Sequence, residues 1–197
     1  VLEAQVRVLV ACEYSGIVRD AFIRKGHSAW SCDILPTDVP GPHYQCDVRE
    51  IIDNDWDLMI AHPPCTYLSV SGMHWTTRGL RDPKLTEDAL EFVRFLMDAP
   101  IPRIAIENPV SVISSRIRKP DQIIQPWMFG HPETKATCLW LKGLEPLKET
   151  NNVKQEMMSL KKSQRSRIHY ASPGPDRWKL RSTTFQGIAD AMAEQWG

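Results

Sequence analysis

Two short segments of this 197-residue chain hold side chains that could do chemistry. The first is Ala61-His62-Pro63-Pro64-Cys65. Its prolines fix two φ angles and remove two backbone donors, so the turn before Cys65 is stiff. Stiffness suits a nucleophile, because a small misplacement of the attacking atom is costly. A thiolate attacks well once its pKa is lowered. The plain alternative is a structural cysteine after a turn. The second segment is Ile104-Ala105-Ile106-Glu107-Asn108-Pro109. An apolar run that ends on a carboxylate leaves a charge in an unusual place, since burying it is costly unless it is paired or functional. With a raised pKa, Glu107 would give a proton to a ring nitrogen. The plain alternative is a helix cap at a strand end.

A third segment, Cys12-Glu13-Tyr14-Ser15-Gly16, follows an apolar run near the N-terminus. It is no phosphate loop, because the glycine spacing of such loops and their lysine are missing. A ligand with an amino-acid or ribose moiety suits it better than a triphosphate. Asp33 stands about 20 residues further on, where an acid reaches ribose hydroxyls in dinucleotide-type sheets. Asp47 is placed to accept from an exocyclic amine. Taken singly, each acid reads more readily as a surface carboxylate. His62 and His74 read as a turn histidine and a surface histidine.

The elements that must carry these residues alternate. Apolar, β-branched runs predict strands over 6–10, 28–32, 44–48, 57–61, 103–106 and 137–141. Helical spacing of apolar residues predicts helices over 17–25, closed by Gly26, from Thr86 to about Pro100, and over 185–196. Strands alternating with helices predict an α/β fold with a mostly parallel sheet covered on both faces. In such sheets ligands bind beyond the carboxyl ends of the strands. Glu13, Asp33, Asp47, Cys65 and Glu107 all fall there.

The ordered set of a glycine turn, two acids, Pro-Pro-Cys and Glu-Asn resembles the DNA (cytosine-5) methyltransferases, from Val6 to Asn108. The resemblance implies a Rossmann-like class I methyltransferase sheet, S-adenosylmethionine as cofactor and DNA as substrate. It places the cofactor against Glu13, Tyr14, Ser15, Gly16, Asp33, Ile34, Asp47 and Pro63. It makes Cys65 the nucleophile and Glu107 the acid at the cytosine, with Asn108 beside it. Phe129-Gly130-His131-Pro132-Glu133-Thr134-Lys135-Ala136-Thr137 is similar to the family's Phe-Gly-x-Pro-Gln-x-Arg-x-Arg segment, but Glu133, Lys135 and Thr137 replace the Gln and both arginines. Lys135, with Arg165 and Arg167 in compensation, completes the substrate-side candidates.

The implied mechanism is addition of the thiolate to cytosine C6, which makes C5 enamine-like. A protonated Glu107 assists at N3, and the base is flipped out of a duplex beforehand. The family's large target-recognition domain has no counterpart here. Expected instead are a catalytic core over 1–142, a reduced basic insertion over 143–183 and a C-terminal helix over 184–197 packing back on the core. Low sequence specificity, a specificity partner or a homodimer would follow. Two alternatives stay open: the same chemistry on a free pyrimidine nucleotide or with another alkyl donor, and a non-catalytic fold that binds DNA or a partner. A cysteine hydrolase built on Cys65 with His62 or His74 lacks a convincing third group.

Composition agrees with a globular protein, at 42% hydrophobic and 24% charged residues. No apolar run is long enough to span a membrane. The start shows none of the succession of a signal peptide. Five cysteines without a CxxC pair argue against a disulfide framework or a zinc ribbon, and for reduced thiols in a cytoplasmic protein. Net charge is zero, yet Lys154, Lys161, Lys162, Arg165, Arg167, Arg177, Lys179 and Arg181 face only Glu156 and Asp176 over 151–181. A basic segment of this kind suits a polyanion or a solvated loop.

Overall fold

Val8, Leu9, Val10 and Ala11 are all completely buried, as in a strand covered on both faces. The structure is a computed structural model and describes residues 4–197. Its elements run β1 (Arg7–Ala11), α1 (Ile17–Arg24), β2 (Ser28–Asp33), β3 (His43–Gln45), β4 (Leu58–Ala61), α2 (Val70–Thr77), α3 (Pro83–Met97), β5 (Arg103–Pro109), α4 (Ile113–Arg116), β6 (Gln122–Ile124) and β7 (Thr137–Lys142). Four helices follow: α5 (Lys154–Ser159), α6 (Lys162–Arg165), α7 (Arg177–Ser182) and α8 (Gln186–Trp196). The described residues form one seven-stranded sheet in the order β3-β2-β1-β4-β5-β7-β6. The first five strands are parallel, and β7 runs antiparallel to both of its neighbours. This is the expected α/β, Rossmann-like, mostly parallel sheet.

Alternation along the strands divides the core in two. Leu9, Met59, Ile104 and Ile106 pack with Leu90, Val93 and Leu96 of α3. Val8, Val10, Leu58 and Ile60 pack on the other face with Phe22 of α1 and Ile188, Met192 and Trp196 of α8. The chain leaves β1 toward β2 and β3 on one side, then crosses to β4 on the other. That reversal opens the crevice in which doubly wound sheets bind ligands. His62 N donates to Ala11 O at 2.9 Å across it.

Gly26 closes α1 with φ 89°, as expected. Elsewhere the elements differ from the sequence reading for physical reasons. Helix α3 opens at Pro83 and not Thr86, because the Asp82 side chain accepts from Lys84 N at 2.9 Å and Pro83 suits a first turn. Thr86 is buried within it, and its hydroxyl donates to Tyr67 O at 3.0 Å. The third strand is only His43–Gln45; Asp47 caps a 3-10 turn with Glu50. Strand β6 was not expected. It is three residues long and is framed by Pro120 and Pro126. Nor was α2 expected, since it buries no residue and so has no apolar face to detect. No helix among the described residues is long and apolar enough to cross a membrane.

Candidate active site

The Pro63-Pro64-Cys65 turn is anchored from β5. Asn108, 1% exposed, donates from Nδ2 to Pro63 O at 2.8 Å. Cys65 O accepts from Leu68 N at 3.0 Å and Ser69 N at 2.9 Å. The turn is therefore held at both ends. Cys65 is exposed by surface area, but the walls around its sulfur desolvate it. That desolvation pushes the thiol up, while Arg181 and Lys135 pull it down and Glu107 pushes it further up.

Cys65 lies where two cavities meet. The larger has a volume of about 820 Å³ and the smaller about 370 Å³, and Cys65, Tyr14, His62 and Arg181 line both. Both volumes are of the order of small-molecule sites. Asp33, Ile34 and Asp47 line the larger cavity, together with Trp75 and Trp178. Glu107, Asn108 and Lys135 line the smaller.

The smaller cavity holds a charged cluster. His62 Nδ1 lies 2.8 Å from Glu107 Oε2, and both side chains are 12% exposed. The pairing follows from register: Ala61 on β4 stands beside Ile106 on β5, so the next residue of each strand meets its neighbour. Thr184 Oγ1 donates to the same Oε2 at 3.3 Å. Burial pushes the Glu107 carboxyl up, but His62, Lys135 and Thr184 outweigh it and bring it down to about 2. The expectation of a raised Glu107 is thus corrected, because a cation stands against it. For His62, burial opposes the charged ring, yet the charges of Glu107 and Glu13 raise it above its ordinary value. Lys135 is lowered, chiefly by burial and against the attraction of Glu107 and Cys65.

In the larger cavity, Asp33 Oδ1 accepts from Leu35 N at 2.9 Å, and Oδ2 takes no bond among the described residues. Burial raises Asp33, against the backbone amides of Leu35 and Ile34 and the charge of His43. An available acceptor beside apolar and aromatic walls fits the ribose and ring of S-adenosylmethionine. Both oxygens of Asp47 are engaged by Arg49, through N and Nη1 at 2.9 Å each. Cys12, Cys32 and Cys46 also line this cavity. Cys32 Sγ stands 4.0 Å from Cys46 Sγ, as thiols. Burial pushes Cys12 up to about 12, with Asp33 and Asp47 adding to it.

Other expected cofactor contacts fall elsewhere. Glu13 and Ser15 line the smaller cavity only, because the Glu13 carboxylate turns onto the start of α1. It accepts from Val18 N at 2.8 Å, Arg19 N at 3.3 Å and Ser15 Oγ at 3.2 Å, where the helix dipole favours an anion. Pro63 also lines only the smaller cavity. Gly16, at φ 75°, lines neither; a Cβ there would strike Arg19 and Val39. Arg19 is itself completely buried and binds Ser31, Thr37 and the carbonyls of Val39 and Pro40. It thereby stitches the loop after β2 to α1.

Arg165 and Arg167 line neither cavity. Arg167 pairs with Glu133 at 3.0 Å, and Arg165 offers its carbonyl to Thr134 N at 2.7 Å. The basic residues of this segment that enter are Arg177 and Arg181, both on α7; Arg181 lines both cavities and Arg177 the larger. That helix is held over the site by Tyr14 and Ser182, whose hydroxyls lie 3.0 Å apart, by Trp178 at 5.3 Å from the Tyr14 ring, and by Lys179 paired with Asp38 at 3.2 Å. Of the residues whose role here the sequence did not give, His62 stands directly before Pro-Pro-Cys, Arg181 belongs to the basic segment over 151–181, and Thr184 lies in the Ser182-Thr183-Thr184-Phe185 segment before the last helix.

No protein-family model matches the chain, and no curated protein matches it significantly. Similar solved structures include an E. coli prophage-encoded protein provisionally described as a DNA modification methyltransferase, at 15% identity and TM-score 0.48 over 80% of this chain and 56% of that one. Another is the methyltransferase EhMeth of Entamoeba histolytica, at 17% identity and TM-score 0.49 over 76% of this chain and 58% of that one. The chain therefore spans a little over half the length of either. Likeness at this level assigns no activity, and the fold is carried by the sheet order itself.

Proposed function

We propose that the chain transfers a methyl group from S-adenosylmethionine to C5 of cytosine in DNA, through a covalent bond between Cys65 and C6. The observation that carries this reading is the position of Cys65, on a rigid turn at the junction of a cofactor-sized cavity and a smaller one with ring-recognition groups. S-adenosylmethionine, when bound, supplies an electrophilic methyl carbon. Asp33 and Ile34 would hold it from the end of β2, and Tyr14 from the first turn.

The chain's own residues then divide the work at the ring. Asn108 keeps the Pro63 carbonyl, and with it the turn, fixed. Glu107 Oε1, which takes no bond among the described residues, accepts from the exocyclic amine of cytosine. Cys65 attacks C6, and α7 with Arg181 shields the junction from water. Incubation with labelled donor and duplex DNA, followed by mass analysis of the nucleosides, tests this. Label is expected on 5-methyldeoxycytidine, and Cys65→Ser is expected to abolish it. Label on the exocyclic nitrogen, or transfer that survives Cys65→Ser, refutes it.

One observation favours a second reading, the same chemistry on a free pyrimidine nucleotide. Arg167 is already engaged by Glu133, and Arg165 stays outside both cavities, so two of the basic side chains suited to a DNA backbone do not reach the site. Product on deoxynucleotides with none on DNA selects that reading.

A further inference from the structure

The smaller cavity holds more titratable groups than nucleophilic addition needs. Glu107, the expected acid, accepts from both His62 and Thr184 on one oxygen. Converging donors of this kind favour a carboxylate, and a carboxylate has no proton to give. Lys135 lines the same cavity, and Nζ makes a single hydrogen bond among the described residues, to Thr183 O at 3.1 Å. Its remaining hydrogens have no acceptor among the described residues. Five groups face it or its neighbours: Glu107 from β5, Cys65 and His62 from the segment after β4, Glu13 from the turn after β1, and Arg181 from α7.

We propose that Lys135 is the proton shuttle of the reaction, taking the proton of the Cys65 thiol and giving one to the ring nitrogen. This rests on the cytosine reading above. The uncharged amine of Lys135 removes the thiol proton, leaving thiolate and ammonium. The thiolate forms the bond to C6, and the C5=C6 π pair moves into the ring toward N3. N3 takes a proton from the ammonium, and Lys135 is an amine again. Once C5 carries the methyl group, the amine removes the C5 proton. The electron pair left at C5 re-forms C5=C6, and Sγ departs with the electrons of its bond to C6. N3 loses its proton to water, and the ammonium returns its proton to Cys65. The cycle releases one proton.

Burial acts in the direction this requires. It lowers Lys135 and raises Cys65, which brings the proton affinities of the two groups toward one another. His62 is then a positioning residue that keeps Glu107 ionised as an acceptor.

Rates of covalent adduct formation with 5-fluorocytosine DNA, followed against pH, test the shuttle. Lys135→Arg retains a cation that can hold a ring oxygen but does not release its proton at neutral pH. Its rate is expected to fall roughly 10²–10⁴-fold, the usual range for losing a proton-transfer group, and to lose the pH dependence of the wild type. Lys135→Ala is expected to lose as much, with at least a ~10-fold recovery in methylamine that grows as the amine deprotonates. A Lys135→Arg rate within about threefold of wild type with an unchanged pH profile overturns the shuttle alone. So does a Lys135→Ala variant that binds cofactor normally yet gains nothing from methylamine. A wild-type chain that forms no adduct on any cytosine overturns the underlying reading, and the shuttle with it.

Discussion

His62→Asn removes the cation beside a carboxylate that is 12% exposed. Glu107 sits at about 2, against an ordinary value of 4.5. At about 1.4 kcal/mol per unit, that depression, which His62 leads and Lys135 and Thr184 share, corresponds to at most about 3 kcal/mol of stability. Breaking a buried ion pair by deleting one partner costs a similar ~3–5 kcal/mol. The sign of the pH dependence follows from the two directions. Glu107 is depressed, so its share is fully present above 4.5 and fades as pH falls through about 2. His62 is raised above 6.5, so its share is full below 6.5 and fades as pH rises through the raised value. The difference between wild type and variant should therefore be largest between pH 4.5 and 6.5, and urea denaturation at a series of pH values measures it. The double variant His62→Asn/Glu107→Gln should recover a substantial part of the loss, because no uncompensated charge remains. A difference below ~1 kcal/mol at pH 6, or one that does not change down to pH 2, would refute the claim that this pair is ionised and mutually supporting.

Asp33→Ala should weaken binding of S-adenosylmethionine by about 1–3 kcal/mol, the loss from stranded hydrogen-bond partners; isothermal titration showing no change removes Asp33 from the site. Tyr14→Phe deletes the 3.0 Å bond that holds Ser182 and α7 over the cavities. Its loss of about 1 kcal/mol should speed amide hydrogen exchange across residues 177–183 roughly fivefold. Unaltered exchange there would mean that Trp178 and Lys179 hold the helix without that bond.

The sheet was legible because its strands are short apolar runs that end at acids, prolines and turns, and because Gly26 and the prolines after Met97 punctuate the helices. What escaped the sequence depended on contacts between elements. Helix α2 buries nothing and β6 is three residues long, so neither has a period to read. Cys65, Glu107 and Asp33 could be nominated one at a time, from residue type and strand-end position, and Lys135 from the resemblance of its segment alone. The pairing of His62 with Glu107 could not, because it needs the β4–β5 register, and that pairing reverses the proton assignment at Glu107. The basic segment shows the same limit. Its charge count is plain in the sequence, but only the fold separates Arg181, which enters the site, from Arg167, which Glu133 already holds.

Placing Cys12, His62 and Glu107 at the ends of three adjacent parallel strands gives the site rigid supports at little conformational cost, since β1, β4 and β5 are fixed by both halves of the core. The turn that bears the thiol adds two prolines and the Asn108 anchor. Catalytic geometry of this kind tolerates little displacement, which is the structural reason for expecting covalent chemistry at Cys65 and not at the half-buried Cys12, whose thiol is pushed up to about 12.

The central claim is that Cys65 bonds to a pyrimidine ring, and trapping that bond is its most direct test. A duplex carrying 5-fluorocytosine allows addition and methyl transfer but has no C5 proton to lose, so the adduct persists. Incubation with the chain and S-adenosylmethionine, denaturation, and peptide mapping by mass spectrometry should find the nucleotide attached at Cys65. Recovery of chain and duplex without any covalent product, or attachment at another residue, would contradict the account.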